Sequence, residues 1–151
     1  MKVWRLVRAE RAADALSGKG ASLYPGRWNR LGQPAVYAAS SLALAVLEVF
    51  VHLEVPQVEV PYLALELHVP DDQIEAPAED PPPNWTENLE WSREIGGRWI
   101  ENGRKPALRV PSAVVPYEPI LVLNPKHPAF SRIRVRQKLP FYWDRRLFKA
   151  L

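Results

Sequence analysis

The chain contains no cysteine, one methionine and three histidines among 151 residues. Without thiols there is no disulfide framework, no thiolate zinc site and no cysteine nucleophile, a usage that fits a reducing cytoplasm. Long apolar runs are missing as well. The longest, residues 42 to 53, is broken by Glu48 and His52 and falls far short of the ~20 residues that a membrane-spanning helix needs. The opening MKVWRLVRAERAADAL carries charges every few residues and no apolar h-region, so a secretory signal is not expected. These features predict a soluble, cytoplasmic protein. Proline is what the chain has in excess: sixteen residues, about twice the usual ~5% share, which argues against a helix bundle and for short strands joined by rigid loops.

At 151 residues, with 47% apolar and 25% charged residues, one core in one domain is expected, burying about 70% of the unfolded surface. The net charge of +3 is unevenly spread: +4 over residues 1–53, −10 over 54–101, +2 over 102–125 and +7 over 126–151. The basic end (Arg132, Arg134, Arg136, Lys138, Arg145, Arg146 and Lys149) suits a polyanion or acidic partner. It suits equally a solvated edge strand guarded by charge, which is favoured because no aromatic stacking motif accompanies it.

Val3 to Arg8 alternates as a first strand, and residues 18–34 hold four of the seven glycines and two prolines, the composition of a loop. Residues 35–39 read as a short buried strand, with Ser40 or Ser41 capping a helix that ends near Leu53. Residues 60–69 alternate as a half-buried strand, and the acidic, proline-rich segment 71–83 reads as an exposed loop or flap. A helix is expected from about Thr86 to Asn102, stopped by Gly103. Short strands follow at 108–110, 113–115, 120–123 and 133–138. One early helix, one middle helix and a strand-rich second half predict an α+β fold.

The helix ending at Leu53 is apolar on almost every side, so it is expected to run through the core. Glu48 is its one acidic residue, and a desolvated carboxylate without partners costs several kcal/mol, which places such a glutamate at the floor of a pocket or in a structural pair. His52, one turn on, is the obvious structural partner. In the preceding loop, Gly26-Arg27-Trp28-Asn29-Arg30-Leu31-Gly32, glycines allow close backbone approach and two guanidiniums offer forked donors suited to phosphate. Tyr37 is either a core aromatic or a ring at a pocket wall. Asn124 and His127, in the rigid NPKHP turn, are read as structural, with no second ligand at metal-binding spacing.

The run GRWNRLGQPAVYAASSLALAVLEVFVHL, followed by VPSAVVPYEPILVLNPKHPAF, resembles the RES-domain toxins of RES-Xre type II toxin-antitoxin pairs. An N-terminal WR, the GRWN arginine, a tyrosine eleven residues before a glutamate, a VPS serine and an NPxHP turn occur in that family's order over nearly the whole chain. One departure is visible: the family often has asparagine soon after its VPxE glutamate, whereas here Glu118 is followed by Pro119.

The resemblance implies a single RES domain over residues 1–151, with short mixed strands and a few helices in a fold like that of the ADP-ribosyltransferases. It implies an NAD-depleting toxin, a glycohydrolase or phosphorylase of the nicotinamide-ribose bond, without a metal. Transfer of ADP-ribose to a protein is the alternative within that class. Carried over by position, Glu48, Tyr37 and Ser112 become the catalytic set, and Arg27, Arg5, Tyr37 and Ser112 the NAD-binding set. Arg27 and Arg5 would hold the pyrophosphate, Tyr37 would stack on nicotinamide, Ser112 would meet the ribose or carboxamide, and Glu48 would stabilise positive charge on the ribose. The implied partner is an Xre-type helix-turn-helix antitoxin covering the pocket, with a homodimer inside the complex as one arrangement and no direct nucleic-acid binding by the toxin itself. A competing class is a nucleic-acid-binding or nuclease toxin, gripping phosphates with Arg27, Trp28, Arg30 and the basic end.

Overall fold

Alternation of apolar and polar residues makes the first segment a strand, and the computed structural model, which describes residues 1–54 and 59–148, places it deep in a sheet. The strands are β1 (Lys2–Arg8), β2 (Val36–Ala39), β3 (Tyr62–His68), β4 (Ile74–Glu75), β5 (Ala107–Pro111), β6 (Pro119–Leu123) and β7 (Arg134–Phe141). They form one seven-stranded sheet in the order β4-β5-β6-β2-β1-β3-β7. All neighbours are antiparallel except the short β4-β5 pair, which is parallel. Among the described residues three α-helices accompany the sheet: α1 (Lys19–Leu23), α2 (Leu42–Phe50) and α3 (Leu89–Asn102). This is an α+β fold.

Side chains alternate across the strands, so the sheet divides two cores. On one face Leu6, Ala39, Ala64, Leu108, Val110, Ile120 and Val122 pack under Leu44 and Ala45 of α2 and Ile95 and Trp99 of α3. On the other, Val3, Val7, Val36, Ala38, Leu65, Leu67, Leu121 and Leu123 are covered by Ala15, Ile133 and the half-buried Leu16 and Phe130. No helix among the described residues is long and apolar enough to cross a membrane.

Several local expectations are met. Ser41 caps α2, accepting from the Leu44 amide at 3.1 Å, and Gly103 ends α3. β7 is an edge strand exposed along nearly its whole length, which is how a strand rich in arginine and lysine avoids pairing with another chain. Others are not. α2 does not run through the core: only Leu44 and Ala45 are buried, and Leu47 and Val51 are 39% and 53% exposed. Apolar residues all round a helix reveal its composition, whereas burial depends on what packs against each side; here the sheet covers one side and Trp143 and Phe148 cover Phe50 at its end. The glycine-rich loop holds the short helix α1. Residues 113–115 form a turn rather than a strand, because Ser112 draws the chain around itself. The middle helix begins at Leu89, later than expected, since the Asn88 side chain accepts from Trp91 N and makes the cap; a 3-10 turn, Trp85–Glu87, precedes it. The acidic flap is mostly exposed, with Glu79 paired to Arg98 at 3.1 Å.

Candidate active site

Glu48 lies on α2, half-buried, and its Oε1 accepts a hydrogen bond of 2.6 Å from the Ser112 hydroxyl. That length is usual for O–H donation to an ionised oxygen. Ser112 is fully buried and stands just past the end of β5, where the chain turns sharply. Its Oγ accepts from the amides of Val114 at 3.0 Å and Val115 at 2.9 Å, and its own amide donates to Glu118 O. The proton and both lone pairs of the hydroxyl are therefore committed. Ser112 thus anchors Oε1 of the carboxylate, with no free capacity for a ribose hydroxyl. The expected partnership of Glu48 with His52 is not formed: His52 is exposed in the turn after α2, and Glu48 bonds to Ser112 instead.

The second group of residues surrounds Arg27. Its guanidinium lies over the Trp85 ring, 5.6 Å from the centroid, and one terminal nitrogen, Nη1, is buried with no partner among the described residues. A buried donor left unpaired is costly, and an anionic oxygen is the acceptor that satisfies it best. Trp28, 1% exposed, packs between Trp85 and Trp91 with centroids at 5.6 and 5.8 Å. The loop carrying Arg27 sits directly on α3. Arg93 donates to the carbonyls of Gly26 and Pro25, both at 3.1 Å, and a Cβ at Gly96 would stand 1.9 Å from Trp28 O. Only glycine at 96 admits this approach.

Tyr37 belongs to this second group. Its ring packs on the helix-bearing face, and its hydroxyl donates to Asn29 Oδ1 at 2.7 Å while accepting from Trp28 N at 3.0 Å. Burial pushes the phenol above its ordinary range, opposed by the Trp28 amide and the charge of Arg93. It remains a neutral phenol.

Arg5 is not brought to the same place. It alternates with Val3 and Val7 on the opposite face of the sheet, where its guanidinium donates to Ala15 O at 3.0 Å and Tyr37 O at 2.9 Å. Burial lowers its pKa to about 10, which leaves it charged near neutrality. Arg30 is engaged by Glu94 and, at 3.6 Å, by Glu101, so its charge is largely spent within the protein. Asn124 and His127 hold their turn: Asn124 bridges Ile100 O and Lys126 N, and His127 Nδ1 accepts from Ala129 N.

The two groups share one face. Tyr37 pairs with Val122, which pairs with Leu108; Ser112 lies four residues beyond Leu108, ~13 Å along the strand direction and about two strand spacings across. The Glu48 carboxylate thus stands at one end of this face, and at the other lies the Arg27 guanidinium, whose buried Nη1 has no partner among the described residues. Two concavities lie elsewhere: about 490 Å³ beside Arg30, Leu89 and Arg93, and about 250 Å³ under the flap beside Glu75 and Trp99. Since neither is lined by Glu48, Ser112, Tyr37 or Arg27, chemistry rather than volume marks the candidate site. Among the described residues no cluster of three or more histidines and acids is placed to hold a metal.

Sequence reasoning missed Asn29, Arg93 and Gly96. For Asn29 the one signal in the sequence is its place near Arg27 in a glycine-flanked loop. The other two depend on the packing of α3.

An α+β protein with a serine-held carboxylate and a pre-placed guanidinium on one sheet face describes a class, and comparison narrows it. Residues 2–144 match the RES domain model. The chain is 40% identical, over 99% of both chains, to Toxin Res of Photorhabdus laumondii subsp. laumondii. It is 36% identical to the Prs ADP-ribosylating toxin of a Sphingobium species, over 97% of this chain and 96% of that one. It is 35% identical to Toxin Res of Pseudomonas putida, over 98% and 100%. The chain belongs to the RES domain family.

Proposed function

We propose that this chain is the toxin of a toxin-antitoxin pair and depletes NAD by cleaving its nicotinamide-ribose bond. The observation that carries the proposal is the Glu48 carboxylate fixed by Ser112. Cleavage of that bond breaks C1′–N, the electron pair leaves with nicotinamide, and positive charge builds on the ribose as an oxocarbenium-like species. The leaving group departs neutral and needs no proton, so one oriented carboxylate suffices. Glu48 stabilises the ribosyl cation and orients the attacking oxygen, Arg27 takes the pyrophosphate, and Ser112 keeps Glu48 aimed. Tyr37 works from the Arg27 end through the loop its hydroxyl holds, whereas the two carbonyls claimed by Arg5 give that residue a supporting role in the sheet. The whole chain is read as a single RES domain of ADP-ribosyltransferase-like fold.

The acceptor defines a second reading. The Sphingobium relative is named as an ADP-ribosylating toxin, which favours a protein nucleophile in place of water or phosphate. Incubating the purified chain with NAD, with and without phosphate, and identifying the products by mass tests both. Free nicotinamide with ADP-ribose, or with its phosphorylated form, is expected. Intact NAD in every mixture, including one supplied with cell protein, overturns the proposal.

Membership of the family implies an antitoxin partner, and we propose that it is of the Xre helix-turn-helix type. It is proposed to cover the mouth of the site with an acidic segment or terminal carboxylate opposite Arg27, in the cytoplasm of the cell that makes both.

A further inference from the structure

Asn29 is completely buried and its amide is fully used. Oδ1 accepts from Gly26 N at 2.9 Å and from the Tyr37 hydroxyl at 2.7 Å. Nδ2 faces three carbonyls, those of Ala21 at 2.8 Å, Gln33 at 3.0 Å and Arg30 at 3.2 Å. Two donors on one side and three acceptors on the other admit the amide in one orientation only. An aspartate there would set an anionic oxygen against three carbonyls. The Tyr37 hydroxyl, whose proton goes to Asn29, turns a lone pair to Trp28 N at 3.0 Å.

The result is a closed ring of hydrogen bonds around one residue. Gly26 N is held by Asn29, Trp28 N is held by Tyr37, and Asn29 and Tyr37 hold each other. The residue between the two held amides is Arg27. Gly26 cannot be enlarged without breaking the ring, since a Cβ there would lie 2.8 Å from the Tyr37 Cζ and hydroxyl.

We propose that Asn29 is a positioning residue that sets the Arg27 guanidinium for its anionic ligand, with the Tyr37 hydroxyl as the second half of the same device. The inference rests on the reading of Arg27 as the pyrophosphate-binding residue. Because that contact serves ground and transition states alike, loosening it acts on binding. Asn29→Ala is expected to raise KM for NAD about tenfold with kcat nearly kept, and Tyr37→Phe, which leaves the other Asn29 contacts in place, severalfold in the same sense. A role confined to stability would instead lower the active fraction and leave KM unchanged.

The test is a double-mutant cycle of Asn29→Ala and Tyr37→Phe, each with Arg27→Ala, reading KM and kcat on NAD and, in parallel, calorimetric binding of inorganic pyrophosphate. If Asn29 and Tyr37 act through Arg27, their KM effects disappear once Arg27 is alanine. Effects of full size in that background overturn the inference while leaving NAD cleavage standing. A wild-type chain that spares NAD but binds pyrophosphate in an Asn29- and Arg27-dependent way keeps the inference and removes the NAD reading. One that neither cleaves NAD nor binds pyrophosphate removes both. Should Asn29→Ala not fold, the Tyr37→Phe arm alone decides, an unchanged KM counting against the proposal.

Discussion

Replacing Glu48 by glutamine keeps the shape of the side chain and removes its charge. The carbonyl oxygen of the new amide can still accept from Ser112, so the 2.6 Å contact changes from charge-assisted to neutral. Hydrogen bonds to charged groups are worth about 1.5–3 kcal/mol and neutral ones about 0.5–1.5, a difference of about 1 kcal/mol. Relief of the desolvation of a half-buried carboxylate acts in the opposite direction. The net change in stability should stay within about 1 kcal/mol, or roughly 2–4 °C in melting temperature for a chain of this size. Catalysis should respond far more. Removing one preorganised electrostatic stabiliser typically costs about 2.7–4 kcal/mol in the barrier, roughly a hundredfold to a thousandfold in kcat. A thermal melt and an NAD-consumption assay on one purified variant separate the two effects. If Glu48→Gln melts many degrees lower yet turns over NAD in proportion to the folded fraction, Glu48 is structural and the proposed mechanism is wrong.

Ser112→Ala removes the donor to Glu48 and leaves the Val114 and Val115 amides without their acceptor. It should cost about 3 kcal/mol, visible in denaturant unfolding, and lower kcat more than it raises KM; an unchanged kcat would separate the serine from the chemistry. Arg5→Met strips a donor from two carbonyls and should destabilise by about 2–4 kcal/mol while folded protein keeps its KM for NAD. A raised KM in a stable variant would return Arg5 to the ligand site. The toxin bound to its antitoxin should neither bind nor cleave NAD, and a neutralised complex that still binds and cleaves NAD would contradict coverage of the site.

Much of this molecule is legible in one dimension because some interactions are local. Alternation over 62–68, the serine before α2 and the glycine after α3 act within a few residues, so pattern alone places β3 and both helix ends. The motif order likewise marks Arg27, Tyr37, Glu48 and Ser112 and leads to the family. How those residues are held was decided by tertiary contacts. By spacing Glu48 has His52 as its partner, and the structure pairs it instead with Ser112, 64 residues away, because the end of β5 comes up beside α2. Arg5 reads as a pocket arginine until strand alternation turns it to the far face, where two carbonyls take its guanidinium. Asn29 carries no chemistry on paper. Its burial, the hydroxyl of Tyr37 and the bare backbone at Gly96, onto which the loop descends, depend on α3 packing against a loop more than sixty residues earlier. No periodicity records a contact of that range, since burial and partner choice depend on which surfaces meet once the chain has folded.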